Sequence, residues 1–284
     1  MFKSILCSLA LGLCLTVHAA EVPKGVAARN IQTVSFQSES LGEARSFNIL
    51  LPSDYENSSR RYPTLYLLHG YGDDNTAWSY MTNLSAYATM HEIIIVMPDG
   101  SKSWYVNSVG DPKARFEDFI VKDLVGYVDG HYRSIPLPRA RAVAGLSMGG
   151  YGAAFLGLKD YKNFTAIGAF SGALSITKDT SGGAFEEAIR KTMGKLGSPE
   201  AADRDPFALV LKVPPADMPL IYIAVGGQDF LLKSNRDFVA LLAEKQIPYE
   251  YREVSPRVHA WDFWDDQIRI FLDILDARPG FAKP

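Results

Sequence analysis

The sequence predicts an α/β fold built on a mostly parallel sheet. Residues 64–70, 93–97 and 141–146 are apolar at nearly every position, which is typical of strands covered on both faces. Stretches with helical spacing separate these runs, as in residues 116–132. Strands that alternate with helices imply right-handed crossovers, a mostly parallel sheet and helices on both of its faces.

Two segments near the start of the chain have a different pattern. Residues 31–37 and 45–51 alternate polar and apolar side chains, which predicts half-exposed antiparallel strands at the N-terminal edge of the sheet. The other predicted strands are 164–170, 220–225 and 249–254, and the other predicted helices are 78–91, 151–159, 184–193, 234–245 and 262–275.

Residues 1–20 have the composition of a cleaved signal peptide. Lys3 gives a positive start, residues 5–17 are nearly all apolar, and small residues follow. This apolar run is short for a bilayer span, so we expect a secreted or periplasmic protein without a stable membrane anchor. Residues 21–284 are then expected to form a single domain.

Composition narrows the classes of function. The 284-residue chain has a formal net charge of −3 and no basic cluster, so nucleic acid is not an expected partner. Cys7 and Cys14 both lie inside the predicted signal peptide. The mature chain would therefore have neither disulfides nor cysteine ligands for a metal, and we expect no metal and no cofactor. The oligomeric state is left open.

Residues 172–219 interrupt the strand and helix alternation with a long polar segment rich in glycine and proline. Connections of this length in a compact domain are usually functional or mobile. We interpret the segment as an excursion over the strand ends that forms a rim or lid; the alternative is a surface insertion without a role in the site.

Gly145-Leu146-Ser147-Met148-Gly149 has the form of a nucleophile elbow. An apolar strand arrives at a serine flanked by glycines, and a small-residue helix leaves it. Such a turn lifts the hydroxyl of Ser147 off the sheet and presents the backbone N–H of Met148 to a developing oxyanion.

A serine nucleophile needs a base, and an imidazole has a suitable pKa. Of the five histidines, His259 follows the last predicted strand, where it can face the elbow. The other four lie in the signal peptide, before the elbow or at helix ends: His18, His69, His91 and His131.

The acid is expected between the serine and the histidine in the chain order of these hydrolases. Asp229 follows a buried strand and a Gly-Gly turn, so it can accept the imidazole N–H of His259. Three other aspartates are more simply explained as solvated residues or helix caps: Asp203, Asp205 and Asp217. Asp237 lies too far along the following helix.

Four motifs in this order resemble the putative esterase family of α/β-hydrolases, which includes esterase D-type, tributyrin, feruloyl and acetylxylan esterases. They are Leu-Leu-His-Gly70, Gly-Leu-Ser-Met-Gly-Gly150, Gly-Gly-Gln-Asp-Phe230 and His259-Ala-Trp-Asp-Phe-Trp. The resemblance covers residues 32–275. It implies a triad of Ser147, Asp229 and His259, with oxyanion-hole amides from Met148 and Tyr71. Many members have glycine before the histidine, whereas this chain has Val258.

Aromatic residues cluster near the predicted strand ends. Trp104 and Tyr105 lie on a loop and are the candidates for a substrate pocket, whereas Trp261 and Trp264 are expected to anchor the last helix. The resemblance implies a serine carboxylesterase, and the predicted signal peptide favours an exported enzyme that acts on feruloyl or acetyl esters of plant polysaccharide, or on short-chain acyl esters. The alternatives are a siderophore lactone esterase, an acyltransferase of the same fold and a non-catalytic binding protein.

Overall fold

The computed structural model describes residues 31–178 and 182–281. The predicted signal peptide, 1–20, lies outside the described residues. The strands confirm the predicted sheet: β1 Ile31–Ser38, β2 Glu43–Leu50, β3 Thr64–Leu68, β4 Ile94–Pro98, β5 Arg141–Leu146, β6 Ala166–Phe170, β7 Leu220–Gly226 and β8 Glu250–Val254.

These strands form an eight-stranded sheet in the order β1-β2-β4-β3-β5-β6-β7-β8. Strands β1 and β2 pair antiparallel, and β2 also lies antiparallel to β4, as expected for the N-terminal edge. All pairs from β4 to β8 are parallel. The carboxyl ends of β3, β5, β6 and β7 therefore meet at one end of the sheet, which we call the carboxyl end.

The helices are α1 Ala77–Met81, α2 Leu84–Ala88, α3 Phe116–Asp118, α4 Val125–His131, α5 Met148–Lys159, α6 Gly183–Met193, α7 Pro199–Ala202, α8 Pro206–Leu209, α9 Leu232–Glu244 and α10 Trp261–Asp276. A π-helical segment, Phe119–Leu124, joins α3 to α4, so the predicted helix over 116–132 is continuous. The predicted helix over 78–91 is instead split into α1 and α2.

Both faces of the sheet are covered. Along β3, Tyr66 and Leu68 pack into one hydrophobic cluster, while Leu65 and Leu67 pack into a second cluster on the opposite face. This alternation explains why the strand is apolar at every position. In the described part of the chain, no helix has the length and apolar character that crossing a bilayer would demand.

Candidate active site

The backbone at Ser147 has the strained conformation of a nucleophile elbow. Its φ is 54° and its ψ is −113°, immediately after β5 and before α5. The turn is held by two backbone hydrogen bonds to the end of β6: Ser147 N donates to Phe170 O at 2.9 Å, and Ala173 N donates to Ser147 O at 3.1 Å. Strain of this kind persists only where the surroundings dictate it and is concentrated at functional sites.

Glycine is required directly after the elbow because α5 begins against the end of β3. A Cβ atom on Gly149 would lie 2.4 Å from Leu68 O and 2.7 Å from His69 O. Because Gly149 has no side chain, the first turn of α5 packs against the carbonyl oxygens of Leu68 and His69, just before Tyr71.

The predicted acid and base are in direct contact. His259 Nδ1 lies 2.9 Å from Asp229 Oδ2 and 3.1 Å from Oδ1. An ionised carboxylate only accepts hydrogen bonds, so Nδ1 carries the proton and Nε2 is left as the acceptor. The pair lies on the loops that follow β7 and β8, at the carboxyl end of the sheet.

Asp229 is kept ionised by its hydrogen bonds. Burial alone would raise the pKa of its fully buried carboxyl group, but hydrogen bonds from His259 and the Leu231 amide outweigh burial and hold the pKa below its ordinary value. The Leu231 amide donates to Oδ1 at 2.8 Å. A stable negative charge beside the imidazole favours the imidazolium that forms during proton transfer.

Two backbone amides are available next to Ser147. In the described part of the chain, neither Met148 N nor Tyr71 N donates to a protein acceptor. The Tyr71 loop lies against the elbow, since a Cβ atom on Gly70 would be 3.8 Å from the Cβ of Ser147. Free N–H groups on both sides of a serine are the arrangement that an oxyanion requires.

His69 fixes the loop that carries the Tyr71 amide. Its Nε2 accepts a 2.9 Å hydrogen bond from Gly100 N, so Nε2 is unprotonated, and its Nδ1 donates to Gly70 O at 2.8 Å. Neutral His69 thus joins the loop after β3 to the loop after β4. Sequence reasoning set His69 aside as a base and did not foresee this role.

A chain of contacts through the end of β6 and Trp264 connects Ser147 to His259. The end of β6 contacts the elbow through Phe170 O, and the next residue, Ser171, accepts a 3.1 Å hydrogen bond from Trp264 Nε1. The Trp264 ring in turn lies 4.8 Å from the His259 ring. Within the described ranges no hydrogen bond joins Ser147 Oγ to His259, and in unliganded hydrolases such bonds commonly tighten only with substrate.

A family model described as Putative esterase matches residues 38–271. The chain belongs to this esterase family. An acetyl esterase of Caldicellulosiruptor saccharolyticus is 33% identical over 258 residues, which are 84% of this chain and 95% of the relative.

Solved structures of esterase and serine hydrolase relatives have the same α/β-hydrolase fold. The fluorophosphonate-binding serine hydrolase F of Staphylococcus aureus matches with a TM-score of 0.76 and 26% identity, covering 86% of this chain and 97% of that one. A ferulic acid esterase matches with a TM-score of 0.73 and 25% identity, covering 86% and 96%. The protein is therefore a serine hydrolase of the carboxylic ester hydrolase class.

Both residues predicted to line the pocket of this esterase are buried, and Trp104 is 5% exposed. Trp104 packs between Tyr71 and Tyr151, with both ring centroids 5.8 Å away. Tyr105 has no exposed surface, and its hydroxyl donates to His69 O at 3.0 Å. Tyr105 therefore supports the loop that carries the Tyr71 amide rather than presenting its ring at a surface.

Two further aromatic residues at the esterase site were missed by sequence reasoning. Phe185, at the start of α6, lies 6.0 Å from the Tyr71 ring and 6.5 Å from the Trp104 ring, and it is 44% exposed. Phe230 is 76% exposed and lies 4.4 Å from the His259 ring. Phe185 brings the excursion over 172–219 against the Tyr71 loop. The position of Phe230, directly after the predicted acid, was a usable signal for its proximity.

Arg257 is engaged away from the acid and base. Its guanidinium pairs with Asp262 at 2.5 Å and with Asp266 at 2.8 Å, both in the first turns of α10. These contacts attach the His259 loop to α10 and use the donors that a substrate anion would require.

Proposed function

We propose that this esterase is an exported serine carboxylesterase that acts through an acyl-enzyme formed on Ser147. His259 is the general base and Asp229 is the acid of the triad. The observation that carries the proposal is the Asp229–His259 pair, with Nε2 left as an acceptor, at the same end of the sheet as the strained Ser147 elbow. The three residues follow β5, β7 and β8 at the carboxyl end, in the chain order serine, acid, histidine, which supports a Ser-His-Asp mechanism.

The chemistry proceeds in two halves. Ser147 Oγ attacks the ester carbonyl while His259 Nε2 takes its proton, and the N–H groups of Tyr71 and Met148 receive the negative charge on the carbonyl oxygen. The tetrahedral intermediate collapses as His259 returns the proton to the departing alcohol. Water then adds to the acyl-enzyme with His259 as base and forms a second tetrahedral intermediate. This intermediate collapses as His259 returns the proton to Ser147 Oγ, which releases the carboxylic acid and restores the serine.

For the substrate, we propose feruloyl or acetyl esters of plant polysaccharide, or short-chain acyl esters. The aromatic wall formed by Tyr71, Trp104 and Phe185 stands beside the Tyr71 amide and supports an apolar or aryl acyl group next to the oxyanion. The relatives named acetyl esterase and ferulic acid esterase support the same two acyl classes.

Export is proposed from the composition of residues 1–20. Its test is expression of the full chain with a C-terminal tag, followed by cell fractionation and N-terminal sequencing. We expect the exported form to begin near residue 21. Recovery of the active protein with Met1 intact in the cytoplasm would contradict export.

The test of the activity is hydrolysis of nitrophenyl acetate, methyl ferulate and acetylated xylan by the purified chain and by Ser147→Ala. We expect hydrolysis of at least one ester by the wild type and loss by a factor of about 10⁶ in kcat for the variant. Equal rates for the two proteins would contradict the proposal.

A further inference from the structure

Phe230 is an exposed aromatic residue that lies directly on the proposed catalytic base. The residue is 76% exposed, and its ring centroid is 4.4 Å from that of His259, with 46° between the two ring planes. An isolated exposed apolar residue is ordinary on a protein surface. The informative feature is therefore its place, because a substrate that reaches the base from solvent meets this ring.

The turn that carries Phe230 is fixed to the rest of the site. Leu231 N donates to Asp229 Oδ1 at 2.8 Å, which ties the turn to the acid on one side of Phe230. The loops after β7 and β8 are also joined to each other, since Gln228 N donates to Arg257 O at 2.9 Å. These bonds hold the loop of Phe230 against the loop of the base.

The imidazole of His259 has two aromatic neighbours, and a substrate can reach only one of them. Trp264 packs edge-on at 4.8 Å and is 5% exposed, whereas Phe230 faces solvent. Nδ1 is engaged by Asp229, so Nε2 returns the proton to the departing alcohol in the proposed mechanism. Proton transfer requires the alcohol oxygen to lie roughly 3 Å from Nε2. The group bonded to that oxygen therefore comes within reach of the Phe230 ring.

We propose that Phe230 is a platform for the sugar ring of the leaving alcohol, so that this esterase prefers esters of carbohydrate. The inference rests on the proposed function, because it assigns to His259 the protonation of the alcohol. The acyl group belongs to the separate wall of Tyr71, Trp104 and Phe185, and among the described residues no ring contact joins Phe230 to that wall. The two halves of the ester thus meet different aromatic groups.

The chemistry of this surface favours a sugar over an alkyl alcohol. The face of an aromatic ring is negatively polarised and packs well against C–H groups, several of which a sugar ring presents on one side. An open ring leaves room for a polysaccharide chain to continue past the site, whereas an alkyl chain gains most from an enclosed apolar pocket. Gln228, on the same turn, is exposed, and its amide has the donors and the acceptor that sugar hydroxyls require.

The test compares esters that share an acyl group and differ in the alcohol. The pairs are methyl ferulate with feruloyl arabinose, and methyl acetate with acetylated xylobiose. Phe230→Ala is expected to lower kcat/KM about fivefold more for the sugar ester than for its methyl partner, because only the sugar loses a packing surface. Phe230→Trp, which keeps an aromatic face, should retain the wild-type ratio. Because the residue is exposed, its replacement should cost little stability.

Two further variants separate the alcohol side from the rest of the site. Phe185→Ala changes the acyl wall, so kcat/KM should fall by the same factor for methyl ferulate and feruloyl arabinose. Leu211→Ala removes a 52% exposed apolar side chain from the excursion and should keep the wild-type ratio. If Phe230→Ala changes the ratio of sugar ester to methyl ester by less than about twofold, the ring only covers the base and the proposal is overturned.

A binding measurement does not depend on turnover. Ser147→Ala and the double variant Ser147→Ala/Phe230→Ala are titrated with an arabinoxylan oligosaccharide by calorimetry. We expect the Kd of the double variant to be about fivefold higher. Equal Kd values, or no binding by Ser147→Ala, would overturn the proposal. If the wild type and Ser147→Ala hydrolyse the esters equally, the proposed function fails, while this titration still decides whether Phe230 binds carbohydrate.

Discussion

The two ends of the parallel sheet are held in different ways. Five non-glycine residues with positive φ follow strands at the carboxyl end: Ser101, Trp104, Tyr105, Ser147 and Ser171. At the amino end, where strands β3 to β8 begin, Gln246 after α9 is the one such residue among those the structure describes. Strained backbone is therefore concentrated where the candidate catalytic groups lie.

Ion pairs also hold the amino end, where strained backbone is nearly absent among the described residues. Arg141, at the start of β5, pairs with Asp129 at 2.7 Å, and Arg60, shortly before β3, pairs with Glu92 at 2.5 Å and Asp54 at 2.6 Å. A fold that carries strain at its site must be stabilised elsewhere. Changes at the carboxyl end are expected to alter catalysis, whereas changes at the amino end are expected to alter stability alone.

After Ser147→Ala, the largest expected effect is that of Asp229→Asn at the carboxyl end. The amide presents a donor to His259, which favours the wrong tautomer of the ring, and kcat is expected to fall by a factor on the order of 10⁴. Steady-state kinetics with a nitrophenyl ester measure this. Asp237→Asn, on exposed α9 and paired with Lys233, is the control and should keep wild-type kcat. A loss below tenfold for Asp229→Asn would remove Asp229 from the triad.

The next effect belongs to the amino end. Arg141→Met leaves the mostly buried Asp129 without its partner, which is expected to lower the unfolding free energy by about 3 kcal/mol. Denaturant titration measures the loss, and kcat per folded molecule should not change. Lys233→Met removes a highly exposed pair and should cost less than about 1 kcal/mol. A tenfold fall in kcat for folded Arg141→Met would contradict the expectation that changes at the amino end alter stability alone.

A smaller effect is expected in the aromatic wall. Phe185→Ala removes one ring of the wall proposed to contact an aryl acyl group. One aromatic contact with the substrate is worth about 1 kcal/mol, so kcat/KM for methyl ferulate should fall about fivefold. The value for nitrophenyl acetate should change less, because a small acyl group reaches less of the wall. Leu211→Ala, exposed on the same excursion, is the control. An equal fall for both esters would exclude Phe185 from acyl selection.

The smallest effect is a pH dependence of stability. Burial would raise the pKa of Asp118, but the ion pairs with Lys122 and Arg115 outweigh it and lower the pKa. A group whose pKa is lower in the folded state stabilises above its unfolded pKa of about 3.9, and this stabilisation is lost as pH falls through the folded value. The stability difference between wild type and Asp118→Asn should therefore shrink below about pH 4.

Denaturant titrations from neutral to acidic pH provide the measurement for Asp118. Asp217→Asn, exposed in the excursion, is the control, with little difference from wild type at any pH. A gap for Asp118→Asn that widens on acidification would contradict the sign of the pKa shift.

The sheet could be predicted from the chain because its strands are continuous apolar runs bounded by glycine, proline and polar residues. The break between α1 and α2 could not. Asn83 N donates to Asp265 Oδ1 at 2.8 Å across the fold, so a contact with α10 interrupts the helical pattern. Helix propensity depends on the local sequence and therefore does not reveal a hydrogen bond to a residue that is distant in the chain.

The same division applies to the site. Ser147, Asp229 and His259 could be predicted because each follows a recognisable strand, but the burial of Tyr105 depends on its packing. A Cβ atom on Gly152 would lie 2.5 Å from the Tyr105 ring, so a glycine on α5 makes room for it. Ser171 also follows a predicted strand, β6. Its bond to Trp264 became visible only in three dimensions.

The proposed mechanism places the acyl group on Ser147. Rapid quenching of the enzyme with nitrophenyl acetate in acid, followed by peptide mass spectrometry, tests it most directly. We predict an acetyl group on the peptide that contains Ser147 in the wild type, and no acetylation of that peptide in Ser147→Ala. Turnover of the ester with the acetyl group on another residue, or with wild-type rates in Ser147→Ala, would contradict the account.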